Sequence, residues 1–178
     1  MRPLTDSLEE WAKNRSLHGG IDEIPIGGEG RLFLAGKHYV GPDVESAIAA
    51  VGATKVVCLV ERFELERRYD DYLEFLDHDD RAVWWPVMDF HAPDLVEAVA
   101  RIEVLSTMIG EGECLIVHCG AGIGRAGTVA AGLLIHQGHS VEDARSKVRG
   151  ARPMAGPQSD AQDEFLNELA RYLASQPR

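Results

Sequence analysis

Two stretches of this chain leave it little freedom in how to fold. "TKVVCLV" (residues 54–60) and "CLIVHC" (114–119) are apolar runs rich in β-branched residues, with no polar alternation. A strand that is apolar on both faces must be covered on both faces, as in a parallel sheet between helical layers. The segments around them fit that demand. "RLFLAG" (31–36) and "AVWWPV" (82–87) read as further strands. "PDVESAIAAVG" (42–52) opens on proline and closes on glycine, the usual asymmetry of a helix. Residues 92–112, 125–138, 140–150 and 159–175 carry helical spacing, the acid-rich run 61–81 reads as a solvated helix, and a short helix is expected within residues 1–20. Strands alternating with helices predict an α/β fold, a central and mostly parallel β-sheet flanked by helices. In such sheets ligands bind beyond the C-terminal ends of the strands.

With 178 residues the chain fits a single domain, read here as an N-terminal extension over 1–29 and a core over 30–174. Its formal charge of −11 disfavours nucleic acid and anionic lipid as partners. The longest apolar run, near 129–135, is too short to cross a bilayer, and the first residues hold no apolar signal core. The three cysteines, Cys58, Cys114 and Cys119, form no C-x-x-C pair, so neither a disulfide scaffold nor a zinc site is expected. The expectation is a reduced, cytoplasmic, monomeric protein without a metal or other cofactor.

The chemistry concentrates in "HCGAGIGRAGT" (118–128), which lies between the strand 114–119 and the helix that follows. Glycines in a strand-to-helix loop let backbone amides converge on an anion, and the helix N-terminus adds its positive end. No Lys-Ser/Thr pair follows, so this is not a nucleotide loop. It carries Cys119 and Arg125 instead. Amides that bind a phosphate also favour a thiolate. A planar guanidinium six residues on can grip two phosphate oxygens.

The histidine-preceded C-x5-R pattern, with glycines at 122, 124 and 127, resembles the active-site loop of the cysteine-dependent protein tyrosine phosphatases. The resemblance spans about residues 30–170 and leans towards the small dual-specificity phosphatases. It implies Cys119 as nucleophile, with Arg125 and the backbone of Gly120, Ala121, Gly122, Ile123 and Gly124 holding the phosphate. "WWPVMDFHAPD" (84–94) resembles the general-acid loop, which makes Asp89 the acid and leaves Asp94 to cap the next helix. His118 is expected to be buried and to support the loop rather than shuttle protons. In "RPMAGPQSDAQDEF" (152–165), Gln158 is the candidate for positioning the hydrolytic water, a role small members often lack. Gln162 is expected to be an ordinary helix residue.

The implied activity is hydrolysis of phosphotyrosine in proteins, extending to phosphoserine and phosphothreonine if the pocket is shallow. The alternatives are a catalytically weak phosphoprotein-binding module, or a phosphatase of another phosphomonoester such as a phosphoinositide. "GAGIG" carries no lysine, which argues against a polyanionic inositol head group. The basic run 144–152 reads as salt bridging to acidic helices, with substrate steering as the other reading. Cys58 is a possible redox partner of Cys119, depending on which strands are neighbours. One departure from the resemblance stands out. Ala126 occupies the place where the family usually has a serine or threonine, whose hydroxyl assists the departing thiolate.

Overall fold

The structure is a computed structural model that describes residues 18–176. Five strands form one sheet: β1 (Ile21–Ile24), β2 (Arg31–Gly36), β3 (Lys55–Cys58), β4 (Ala82–Trp84) and β5 (Cys114–Cys119). Their spatial order is β1-β2-β5-β3-β4. All neighbours run parallel except β1, which pairs antiparallel with β2. This is the expected α/β architecture. The helices are α1 (Lys37–Val40), α2 (Val44–Val51), α3 (Asp70–His78), α4 (Leu95–Gly110), α5 (Gly124–His136), α6 (Val141–Ala151) and α7 (Asp160–Ser175).

β5 is the middle strand, and every one of its residues is buried. Its continuous apolar run reflects cover on both faces. α5 is the matching central helix. It is buried from Arg125 to Ile135 and packs against α4, α6 and α7, so "GRAGTVAAGLLIH" is apolar nearly all round instead of along one stripe. Gly132 permits that closeness, because a Cβ there would lie 2.9 Å from Ile102 Cδ1 of α4 and 3.2 Å from Leu169 Cδ2 of α7, and Gly127 admits the segment ahead of α7, where a Cβ would lie 2.1 Å from the amide nitrogen of Gly156. Side-chain caps fix where the outer helices begin: Asp43 for α2, Asp94 for α4, Ser140 for α6 and Ser159 for α7.

The structure departs from the sequence reading in three places. β1 is part of the sheet, so the ordered core begins ahead of residue 30. "IDEI" is too short and too polar to announce an edge strand. The expected helix over 61–81 is broken. A 3-10 turn covers Arg62–Glu64, Arg67 takes a left-handed φ of 65°, and α3 starts only at Asp70. α1 is a single turn that no periodicity could reveal. The helix expected near the N-terminus falls on residues 1–17, outside the described residues.

Candidate active site

Cys119 is the last residue of β5 and opens the loop at the C-terminal edge of the sheet, where it is 3% exposed. The four carbonyls that follow are all turned away from the loop interior and engaged. Gly120 O accepts from the Lys37 amide at 3.1 Å. Ala121 O and Gly122 O accept from Arg152 Nη2 and Nε at 2.9 and 2.7 Å. Ile123 O accepts from the amides of Gly127 and Gly156 at 3.0 and 3.1 Å. The amides of Ala121, Gly122 and Ile123 donate to no protein acceptor among the described residues. A loop whose carbonyls are tied outward holds its amides inward, which is the geometry of an oxyanion cradle. Gly122 has a φ of +72°, and a Cβ there would sit 2.3 Å from Ala35 O, so both conformation and space require glycine.

Arg125 lies in the first turn of α5, with its side chain 2% exposed. Glu64 grips one edge of its guanidinium: Nη1 donates to Oε1 at 2.7 Å and Nη2 to Oε2 at 3.0 Å. Nη1 also donates to Val87 O at 2.9 Å. The opposite edge differs. Nε is buried and meets no acceptor among the described residues, and Nη2 has Asp89 Oδ1 at 3.4 Å. Nη2 also lies beside Gly120, 3.2 Å from where a Cβ would be. An arginine held by one edge, with the other edge open over an amide cradle, presents two parallel donors to an anion.

Glu64 is itself fixed. Its Oε1 accepts the Glu61 amide at 3.1 Å, and Lys37 Nζ lies 3.5 Å from its Oε2. Burial pushes the Glu64 carboxyl up, but the Arg125 hydrogen bond, the Glu61 amide and the charges of Arg125 and Lys37 outweigh that and hold it below its ordinary range. It is therefore a permanent anion at neutral pH. Sequence reading missed it because it is one of many acidic residues in 61–81, and only the fold brings it 61 positions along the chain to Arg125.

The two candidate acids separate cleanly. Asp94 Oδ1 accepts from Val96 N and Glu97 N at 3.0 and 3.1 Å, which commits it to capping α4. Asp89 is exposed and reaches Arg125. Its neighbour Phe90 holds a left-handed φ of 59°, which a non-glycine residue adopts at a cost of about 1–2 kcal/mol. The loop is held in that shape from α7. Ser159 Oγ donates to Phe90 O at 2.6 Å, and Gln162 Nε2 donates to His91 O at 3.2 Å.

Gln162 does more than its place in a helix suggests. It is 1% exposed, and its Oε1 accepts the Gln158 amide at 2.8 Å. Both glutamine amides press on Gly124, where a Cβ would lie 3.1 Å from Gln158 Oε1 and 3.4 Å from Gln162 Oε1. One buried amide thus touches the acid loop, the 152–158 segment and the phosphate loop.

His118 is fully buried, with Nε2 2.5 Å from the Tyr72 hydroxyl. Burial, reinforced by the charge of Arg125, pushes its pKa down to about 4 against the pull of the Cys119 backbone and Glu64, so the ring is neutral at physiological pH. Tyr72 was hidden in the acid-rich run. Arg152, which closes the basic run 144–152, is buried behind the loop and pairs with Asp22 of β1 at 2.7 Å, a strand residue and not one of the acidic helices. The salt-bridge reading of that run does describe Arg145, which pairs with Asp163 of α7. Cys58 stands directly opposite His118 in the parallel ladder, so it shares the face of His118, while Cys119 projects from the other face. The two sulfurs cannot meet without rebuilding the strand end. Burial also pushes the Cys58 thiol up to about 12, which leaves it unreactive.

A family model described as "Swiss Army Knife protein, DSP-PTPase phosphatase domain" matches residues 33–169. The chain belongs to this family. This phosphatase domain is also 31% identical, over 96 residues, to cyclin-dependent kinase inhibitor 3 of Rattus norvegicus; the match covers 51% of the chain and 45% of that relative. The chain thus spans less than half the length of the curated relative it matches. Among solved structures it resembles Tk-PTP in its active form, at 26% identity and a TM-score of 0.65 with 84% of this chain and 96% of that one covered. It shares the fold of kinase associated phosphatase carrying serine at its catalytic-site cysteine, at 23% identity and a TM-score of 0.75 with 89% and 97% covered. No helix among the described residues is long and apolar enough to cross a membrane.

Proposed function

We propose that this domain hydrolyses phosphotyrosine in proteins through a cysteinyl-phosphate intermediate. The observation that carries the reading is the split use of Arg125: Glu64 fills one edge of the guanidinium, and the other edge opens beside a loop whose carbonyls are all engaged elsewhere. Such a site fits the equatorial oxygens of a transferring phosphoryl group. In the first step the Cys119 thiolate attacks phosphorus, the P–O bond to the substrate breaks, and Asp89 delivers its proton to the leaving oxygen. In the second, water attacks the cysteinyl-phosphate, Asp89 takes a proton from it, and the S–P bond breaks to give inorganic phosphate. In this reading Gln158, whose Oε1 lies against Gly124, orients that water. Glu64, Arg152, Tyr72 and Gln162 position these groups without touching phosphate.

The test is turnover of para-nitrophenyl phosphate and a phosphotyrosine peptide by wild type and Cys119→Ser. Wild type should turn over both. The variant should lose activity by several orders of magnitude while still binding vanadate, since the backbone cradle is intact. Activity of Cys119→Ser within tenfold of wild type would reject the nucleophile. A wild type that binds the phosphopeptide but does not hydrolyse it would favour the binding module.

A further inference from the structure

Asp89 sits in a tight turn of awkward conformation. The His91 amide donates to Met88 O at 3.0 Å and closes a four-residue turn, 88–91, with Asp89 second and Phe90 third. Of the two central residues only Phe90 is left-handed, with a φ of 59°. A turn with a left-handed third residue reserves that place for glycine or asparagine. Phenylalanine brings a Cβ and a bulky ring, which that backbone region disfavours. Burial of the ring does not offset the strain, since Phe90 is 57% exposed. A strained residue of this kind persists only where its surroundings over-determine it.

Here the surroundings come from the start of α7. The Ser159 hydroxyl donates to Phe90 O, the carbonyl of the strained residue itself, at 2.6 Å. Gln162 Nε2 reaches the next carbonyl, His91 O, at a longer 3.2 Å, and the same side chain already accepts the Gln158 amide. The Ser159 oxygen also accepts the Gln162 amide at 3.3 Å as the cap of α7. One hydroxyl thus spends its acceptor side on the helix and its donor side on the turn. The turn fixes Asp89. Its Oδ1 accepts the Phe90 amide at 3.1 Å and stands 3.4 Å from Arg125 Nη2, while His91 Nδ1 lies 2.8 Å from Asp89 O.

We infer that Ser159 is a positioning residue for the general acid. Its bond to Phe90 O holds the turn in the strained arrangement that keeps Asp89 beside Arg125, against a released arrangement in which Phe90 is relaxed. The inference rests on the reading of Asp89 as the acid. The strain makes the balance between the two arrangements sensitive to a single bond, because whatever releases the turn also relieves Phe90.

The experiment measures kcat/KM, which ends at the cysteinyl-phosphate, on phenyl phosphate and para-nitrophenyl phosphate. Phenoxide is the poorer leaving group and depends more on the proton from the acid. Ser159→Gly removes the donor and keeps most of the cap, because glycine at that position costs only a few tenths of the stability scale. It should lower kcat/KM on phenyl phosphate about two- to twelvefold, the scale of one neutral hydrogen bond, and by a smaller factor on para-nitrophenyl phosphate. Vanadate inhibition should stay as in wild type, since the phosphate loop is untouched. Ser159→Thr, which keeps the donor, should retain the wild-type ratio between the two substrates. Phe90→Asn, better suited to a left-handed backbone, should restore that ratio when added to Ser159→Gly. An equal loss on both substrates, no loss, or no restoration by Phe90→Asn overturns the inference. Asp89→Asn is run alongside. If its loss does not depend on the leaving group, the acid assignment fails and the inference falls with it. If its loss does depend on the leaving group and that of Ser159→Gly does not, the role of Ser159 alone is refuted.

Discussion

Replacing Glu64 with glutamine tests whether the pose of Arg125 is set from outside the loop. Breaking a buried ion pair by removing one partner costs about 3–5 kcal/mol. Glutamine keeps the shape and one acceptor oxygen, so it can still serve one of the two guanidinium bonds. Its amide nitrogen must then face Arg125 Nη2, Lys37 Nζ or the Glu61 amide, all of them donors. The loss is thus close to one hydrogen bond to a charged group, about 1.5–3 kcal/mol. If that energy holds Arg125 in its working position, kcat/KM should fall roughly 10- to 150-fold. The inhibition constant for vanadate should rise with it, because the same guanidinium edge binds both ligands. The assay is steady-state hydrolysis of para-nitrophenyl phosphate with vanadate as competitor, beside a thermal melt. A kcat/KM within threefold of wild type, with vanadate inhibition unchanged, would show that burial and the Val87 carbonyl suffice to place Arg125. A lowered melting temperature with normal kinetics would make Glu64 a stability residue only.

Asp89→Asn should lower kcat by about 10²–10⁴, with a smaller loss on aryl phosphates whose leaving groups need no proton. Asp94→Asn should leave kcat near wild type, because asparagine caps as well as aspartate, while Asp94→Ala should cost about 1 kcal/mol of stability at the α4 cap; a large kcat loss in Asp94→Asn with a mild one in Asp89→Asn would exchange their roles. Ala126 brings no hydroxyl to the departing thiolate, and Thr128 cannot replace it, since its Oγ1 donates to Gly124 O at 2.7 Å. Rapid mixing with para-nitrophenyl phosphate should therefore show a nitrophenol burst near one equivalent, which Ala126→Ser should reduce while raising kcat; no burst and an unchanged kcat would show that another group stabilises the thiolate. His118 titrates near 6.5 when unfolded and near 4 when folded, so the unfolded chain binds the extra proton in that window. Stability should fall by roughly 1 kcal/mol per pH unit from about 6.5 down towards 4 and gain nothing from His118 above it. Urea titrations at pH 5 and 7 should show a smaller difference for His118→Asn than for wild type, and equal differences would remove His118 as the source.

What could be read from the sequence was local. β5, the glycine loop and Arg125 are contiguous, so their chemistry is written in twelve adjacent residues, 114–125. Asp89, proposed as the acid, stands out because its loop carries prolines at a recognisable spacing, and the fold sets it 3.4 Å from Arg125. Glu64, Tyr72 and Arg152 do not, since each works across tens of residues on a partner that only the sheet order supplies. The acid-rich run 61–81 was the least legible segment. Its composition satisfies a solvated helix, yet a left-handed residue at Arg67 divides it into a turn that delivers Glu64 and a helix that buries Tyr72. Gln162 was placed correctly in a helix, but side-chain amides are common on solvent faces, and nothing local marked this one as buried.

The outward-bound carbonyls of residues 120–123 have a consequence for portability. Their partners come from α1, from α5, from the residue closing α6 and from the segment ahead of α7. The cradle is thus a property of the assembled domain, and its eleven-residue signature is a label for that assembly. Transplanted between a strand and a helix of another α/β protein, "HCGAGIGRAGT" would arrive without the lysine amide, the buried arginine or the glycine amide that turn its peptide planes. Its amides would have no fixed common focus, and the graft would keep the sequence pattern while losing the anion site.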